Sequence, residues 1–176
     1  MIVYLVRHGE VPHNALGQYN TIDEDLTEKG VEQAWELRSL IQNIDYDVIL
    51  TSPLVRAQHT AEIINFENKE IIVEDELRER NCGDLAGKPL TVTNRDEYWN
   101  YNTTITYGTS EDIRDFCRRV FNFLDELKKR EYSAVLIVAH SGVSKAFSAY
   151  FEGINDGWFL NRGLKNCEIK EYHFPS

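Results

Sequence analysis

Cysteine is scarce. The three present, Cys82, Cys117 and Cys167, are far apart, odd in number and never in a C-x-x-C pair. They supply neither a disulfide framework nor a thiolate metal site, and they suit a reducing, cytoplasmic setting. Long hydrophobic runs are missing as well. The apolar stretch from Ile2 to Val6 is too short for a signal-peptide core and has no basic residues ahead of it, and no later segment approaches bilayer-spanning length, so a soluble chain away from membranes is expected. Positive charge is in deficit: 19 Lys and Arg stand against 29 Asp and Glu, a formal charge of −10 with a pI near 5.0. Such a chain repels a nucleic-acid backbone, whose binding requires clustered Lys and Arg, and nucleic acid is therefore excluded as a partner. Repeats, low-complexity tracts and Pro/Gly-rich linkers are absent too. The 176 residues read as one domain, 1–176, large enough to bury about two-thirds of the surface of its unfolded form. No heptad and no evident apolar patch declares an oligomeric partner.

What is present is an alternation. "IVYLV" (2–6), "YDVIL" (46–50), "EIIVE" (70–74) and "AVLIVA" (134–139) are short, continuous apolar runs rich in β-branched residues, the pattern of strands buried on both faces. Between them lie helical periods. "LTEKGVEQAWELRSLI" (26–41) has Thr27 as N-cap and apolar residues Val31, Ala34, Trp35, Leu37 and Ile41 at helical spacing. "TSEDIRDFCRRVFNFLDELKKR" (109–130) opens with Thr109 and Asp112 spaced roughly as a capping box. It aligns Ile113, Phe116, Val120, Phe123 and Leu127 on one face and ends in basic residues that suit the helix dipole. Strand alternating with helix predicts a mainly parallel sheet covered on both sides.

In such sheets ligands bind beyond the carboxyl ends of the strands. The first strand ends in Arg7-His8-Gly9. The second leads into "TSPLVRAQHTAEII" (51–64), where Ser52 can cap, Pro53 fits the first helical position and Arg56 lies within about a turn of the helix start, a ready anion site. The strand at 134–139 ends at His140, with Ser141 and Gly142 placed to offer backbone N–H groups. Three strand ends thus deliver Arg7, His8, Arg56 and His140 towards one place. The planar guanidinium fork binds phosphate oxygens bidentately and keeps its proton, so the pair of arginines points to a phosphoryl group.

At these residues the chain resembles the histidine phosphatase superfamily, which includes the phosphoglycerate mutases. "RHGEVPHN" (7–14), "LTEKGVEQA" (26–34), "TSPLVRAQHTA" (51–61), "LRERNCGDLAG" (77–87) and "VAHSG" (138–142) are similar to its ordered signatures and span most of the chain. The resemblance implies a three-layer α/β/α sandwich of the phosphoglycerate mutase type, with a short cap or substrate loop around 88–110. It implies that His8 is the nucleophile, that Arg7 and Arg56 clamp the phosphoryl oxygens, that His140 adds a hydrogen bond and that Asn14 and Ser141 help to line the phosphate pocket. Glu79 matches the general acid, which then activates water. The sequence departs from the family pattern at Val11, in place of a frequent Ser or Thr, at Ala86, in place of a frequent acidic residue, and at Ser141, where Gly is commonest.

The chemistry accounts for these residue types. Charge in a phosphoryl-transfer transition state spreads over three equatorial oxygens, so catalysis is mostly positioning and charge stabilisation; two arginines serve, and neither metal nor cofactor is required. A histidine nucleophile must be neutral, which a reference pKa of about 6.5 and adjacent arginines favour. A glutamate that donates a proton near neutrality needs burial or a second carboxylate to hold that proton.

Each assignment has a plainer rival: a strand-end ion pair at Arg7-His8, a solvated helix residue at Arg56, a solvated turn at Glu79 within "EDELRER" (74–80). His13 and His59 have no role in the scheme. Tyr98, Trp99, Tyr101 and Tyr107 form either a lid that selects substrates or a small cluster beneath a loop, with "INDGWFLNRG" (154–163) as the other source of selectivity. A metallohydrolase built on His8, His13, His59 and His140 finds no H-x-x-x-H pair, D-x-D or carboxylate cluster in support. A non-catalytic phosphate-binding protein would need neither His8 nor Glu79. A phosphoglycerate-type mutase needs an enclosure that excludes water, for which only the stretch near 88–108 is available. The expected activity is therefore metal-independent hydrolysis of a small phosphomonoester through a phosphohistidine.

Overall fold

The structure, a computed structural model, describes residues 1–154 and 163–175. Five strands form one sheet in the order β3-β2-β4-β1-β5: β1 (Ile2–Arg7), β2 (Val48–Thr51), β3 (Ile71–Val73), β4 (Ala134–Ala139) and β5 (Ile169–His173). The first four run parallel and β5 pairs antiparallel with β1. Register aligns the strand ends: Arg7 faces Ala139 across one ladder, and Thr51 faces Val138 across the other. The residues that follow β1, β2 and β4 therefore emerge side by side.

Alternation along the central strands divides the core in two. Val3, Leu5, Val48, Leu50, Val135 and Ile137 pack with α5 (Ile113–Leu127) and α6 (Ser141–Glu152); Val6, Ile49, Leu136 and Val138 pack with α2 (Glu28–Leu40) and α3 (Val55–Ile64). Two short helices, α1 (Pro12–Ala15) and α4 (Arg95–Tyr98), sit in the connections. The result is the three-layer α/β/α arrangement with a mainly parallel sheet. Among the described residues no helix is long and apolar enough to cross a membrane.

Local forces behave as the sequence suggests at several points. Thr27 Oγ1 accepts the Gly30 N–H at 3.0 Å and caps α2, and Ile113, Phe116, Val120, Phe123 and Leu127 are all buried. Three expectations about these elements fail, and one strand goes unforeseen. Thr109 does not cap α5; Asp112 does, accepting the Arg114 N–H, while Thr109 Oγ1 donates to Asp84 at 2.9 Å. Trp35 is half-exposed, because the buried stripe of α2 runs through Gly30, Ala34 and Leu37 and leaves position 35 turned about 100° away. The run at 70–74 is an edge strand rather than one buried on both faces, with Val73 49% exposed. β5 was not among the expected strands: "IKEYH" buries only Tyr172, the mixed pattern of an antiparallel edge rather than an apolar run.

Candidate active site

The strand ends meet in a cavity of about 600 Å³. β1 passes its last residue, Arg7, into a tight approach to α2: a Cβ on Gly9 would overlap the Gly30 carbonyl, and one on Gly30 would overlap the Glu10 carbonyl. Only glycine lets the chain turn there, and the turn buries His8. Its backbone N–H donates to the Ala139 carbonyl at 3.0 Å, its carbonyl accepts from Asn166 Nδ2 at 3.0 Å, and Gly9 N donates to Thr60 Oγ1 at 3.1 Å. His8 Nδ1 lies 2.6 Å from the Gly9 carbonyl, which can only accept. The proton therefore sits on Nδ1, leaving the lone pair on Nε2. Burial, followed by the charges of Arg56 and Arg7, holds His8 well below the ordinary imidazole value; the bond to Gly9 opposes this.

Around His8 stand three cationic or polar groups. Arg7 Nη1 donates to the Leu164 carbonyl at 2.9 Å, and Arg56 Nη1 to the Thr21 carbonyl at 2.9 Å. His140 packs edge-on against His8 with ring centroids 5.1 Å apart, and its Nε2 lies 2.7 Å from Ser52 Oγ. His140 is also held well below the ordinary imidazole range, chiefly by burial and then by Arg56. Arg7 Nε, Arg56 Nε and His140 Nδ1 are buried and make no hydrogen bond within the described protein. Buried polar atoms are rarely left so, and Trp99 Nε1 in the same cavity wall shares this state.

Glu79 reaches the same cavity from the segment after β3. Its Oε1 accepts the Arg80 N–H and its Oε2 the Gly142 N–H at the start of α6, each at 2.9 Å. A Cβ at Gly142 would overlap the Glu79 carboxylate and lie 2.6 Å from the Trp99 ring, so glycine is again the residue that permits the contact. The Gly142 amide, expected to be open to an anion, is thus spoken for by Glu79.

Arg7, His8, Asn14, Arg56, Glu79, Tyr98, Trp99 and Ser141 all line this cavity; Tyr101 does not, and neither does His140, which is fully buried against His8. Tyr98 and Trp99 reconcile the two alternatives posed for them. They are 1% and 6% exposed, packed with Phe116 and the rest of the α5 core, yet each turns an edge to the cavity. Ser52 does not cap α3, which starts at Val55 with Leu54 in the cap position; its hydroxyl accepts the Leu54 N–H at 3.2 Å and faces His140. His13 and His59 bond Glu24 and Asp25 and lie outside the cavity lining. Most of "INDGWFLNRG" falls at 155–162, outside the described residues.

Several participants carried no local signal. Thr21, Thr60, Leu164 and Asn166 hold the arginines and the His8 loop through contacts spanning 35 to 158 residues of sequence. Lys145, on α6 and 4% exposed, lies 5.3 Å from the centroid of the Trp99 ring; burial and then Arg95 push it down to about 7, against the opposing pull of Glu79. Among the described residues no group of three His, Cys, Asp or Glu side chains is placed to share a metal ion.

Residues 3–176 match the histidine phosphatase superfamily (branch 1). Phosphoserine phosphatase 1 of Hydrogenobacter thermophilus is 31% identical over 179 residues, covering 96% of this chain and 84% of that protein. Adenosylcobalamin/alpha-ribazole phosphatase of Salmonella typhimurium is 35% identical over 156 residues, 81% of this chain and 75% of that one. The crystal structure of the alpha-ribazole phosphatase from Shigella flexneri superimposes with a TM-score of 0.84 at 27% identity, over 97% of this chain and 89% of that one. A sheet whose parallel strand ends bring Arg7, His8 and Arg56 to one cavity, with His140 packed edge-on against His8, together with these similarities, establishes that the chain belongs to the histidine phosphatase superfamily and is a phosphatase of it.

Proposed function

We propose that the chain hydrolyses small phosphomonoesters in two steps through a phosphohistidine on His8. The observation that supports this best is the set of buried, unbonded donors, Arg7 Nε, Arg56 Nε and His140 Nδ1, around an imidazole whose Nε2 bears the lone pair. In the first step Nε2 attacks phosphorus, the bond from phosphorus to the ester oxygen breaks, and protonated Glu79 gives its proton to the departing alkoxide. In the second, water attacks the phosphohistidine as the Glu79 carboxylate takes its proton; the phosphorus–nitrogen bond breaks, inorganic phosphate leaves and His8 returns neutral. Arg7 and Arg56 supply the positive charge that stabilises the equatorial oxygens, the task that metal ions perform in other phosphoryl-transfer enzymes. Asn14 and Ser141 line the phosphate end of the cavity, and the segment 88–110 covers the leaving-group side through Leu90, Arg95, Tyr98 and Trp99. Relatives named phosphoserine phosphatase and adenosylcobalamin/alpha-ribazole phosphatase support a small phosphorylated molecule as substrate.

The test is to incubate the protein briefly with a labelled phosphomonoester, quench, and look for an acid-labile, base-stable phosphoprotein. Label is expected on the native protein and none on His8→Ala, with turnover unchanged by a chelator. Label that persists in His8→Ala would sink the assignment.

A further inference from the structure

The cavity wall is far more positive than the chain that forms it. Five arginines, Arg7, Arg56, Arg78, Arg80 and Arg95, line it with a single carboxylate, Glu79, on a protein of formal charge −10. Four of the five are accounted for. Arg7 and Arg56 belong to the phosphoryl end, Arg78 pairs with the exposed Asp75 at 3.1 Å, and Arg80 is committed to the carbonyls of Glu111 and Tyr98 while stacked 4.0 Å from the Tyr98 ring.

Arg95 is different. It is half-buried, its guanidinium lies 5.4, 5.8 and 6.0 Å from the centroids of Tyr19, Tyr98 and Trp99, and among the described residues its one hydrogen bond runs from Nη1 to the Tyr19 hydroxyl at 3.1 Å. No carboxylate pairs with it among the described residues, although Asp96 and Glu97 follow it directly; the Glu97 carboxylate accepts from Thr103 instead. A guanidinium held on aromatic faces in a partly desolvated wall, with most of its donors unused, is a site for a second anion. It shares the cavity with His8 and Glu79, and Trp99 links the two: its ring lies 6.0 Å from the Arg95 guanidinium and borders the space beside Gly142, whose amide holds Glu79. Lys145 registers the same field, since Arg95 and Glu79 act on it in opposite directions.

We propose that Arg95 is a specificity-determining residue that binds a second anionic group carried by the leaving moiety, in the same cavity as His8 and Glu79. The inference rests on the hydrolytic function proposed above. The preferred substrates are then small phosphomonoesters with a carboxylate or a second phosphate a few bonds from the ester oxygen.

Two matched pairs test it, each differing only in that group: 3-phosphoglycerate against glycerol 3-phosphate, and propane-1,3-diol bisphosphate against its monophosphate. At least one pair is expected to favour the anionic member by about tenfold or more in kcat/KM. Arg95→Gln should bring that ratio close to one, mainly through KM, and Arg95→Lys should keep part of it. A merely structural role for Arg95 would slow both members alike and leave the ratio standing, which overturns the proposal, as does the absence of discrimination in the native protein. Hydrolysis of p-nitrophenyl phosphate separates the two levels: if it proceeds while neither pair discriminates, only the role of Arg95 falls, and if nothing is hydrolysed both fall.

Discussion

Glu79 is docked on Gly142: its Oε2 accepts the Gly142 N–H at 2.9 Å, and the space a methyl group would take at position 142 is filled by the carboxylate and the edge of Trp99. A backbone amide of α6 and a carboxylate from the segment after β3 are thereby locked together beside the second histidine.

Gly142→Ala should therefore displace Glu79 without touching His8. Misplacement by about 1 Å can cost on the order of 10²-fold in rate. The loss should be larger for an alkyl phosphomonoester, which needs its leaving oxygen protonated, than for p-nitrophenyl phosphate. Steady-state kinetics with phosphorylation confirmed as rate-limiting checks this; equal losses would show that the pocket as a whole has shifted.

Ser52 holds His140. Its Oγ receives the Leu54 N–H and lies 2.7 Å from His140 Nε2, leaving Nδ1, buried and without a partner among the described residues, as the ring's other polar atom. Ser52→Ala should weaken inhibition by inorganic phosphate and lower kcat/KM by about tenfold, with a stability loss of about 0.5–1.5 kcal/mol from the missing hydrogen bond. Thermal denaturation and phosphate titration measure the two effects separately, and an unchanged phosphate inhibition constant would remove Ser52 from the site.

The pH dependence has a definite sign. His8 and His140 both titrate well below the ordinary imidazole value in the folded protein, through burial first and the arginines second. His8 thus stays a neutral nucleophile on mild acidification, and the acid limb of kcat/KM should lie below pH of about 6.5, the unperturbed value. In the unfolded chain both rings charge near that pH. The stability they contribute is present above it and is lost as the pH falls towards the folded values, at up to about 1.4 kcal/mol per pH unit for each ring. Urea denaturation between pH 5 and 8 reads this slope, which should shrink in His140→Gln.

Trp99 belongs to the core as well as to the cavity. It meets Tyr98 and Phe116 edge-on with centroids 5.4 and 6.3 Å apart. Trp99→Ala should destabilise the protein by about 3–5 kcal/mol, the range for a buried aromatic, and alter substrate and phosphate affinity together. Chemical denaturation gives the first number; a change in substrate selectivity alone, at unchanged stability, would assign Trp99 to a lid instead.

The parallel strands and the cationic residues at their ends were legible because both leave local marks. A strand buried on two faces must be a continuous apolar run, and a functional residue at its end interrupts that run, as Arg7-His8 does after "IVYLV" and His140 after "AVLIVA". β5 and the edge position of β3 left no such mark, since an edge strand is defined by what does not pair with it. The capping error at Thr109 has the same origin: two residues compete for one cap, and Thr109 goes to Asp84, 25 residues away in sequence.

By itself, then, the sequence determined the α/β class and, through strand ends, Arg7, His8, Arg56 and His140 as candidates, since composition and periodicity are properties of neighbouring residues; Glu79 was marked only by the resemblance to the family. Tertiary structure decided the rest: that Gly142 gives its amide to Glu79, that Ser52 turns to His140 rather than to α3, that Leu164 and Thr21 carry the arginines, and that Arg95 faces the cavity. These contacts join residues brought together only when the sheet aligns its strand ends, and a hydrogen bond across 35 to 157 residues has no periodicity to betray it.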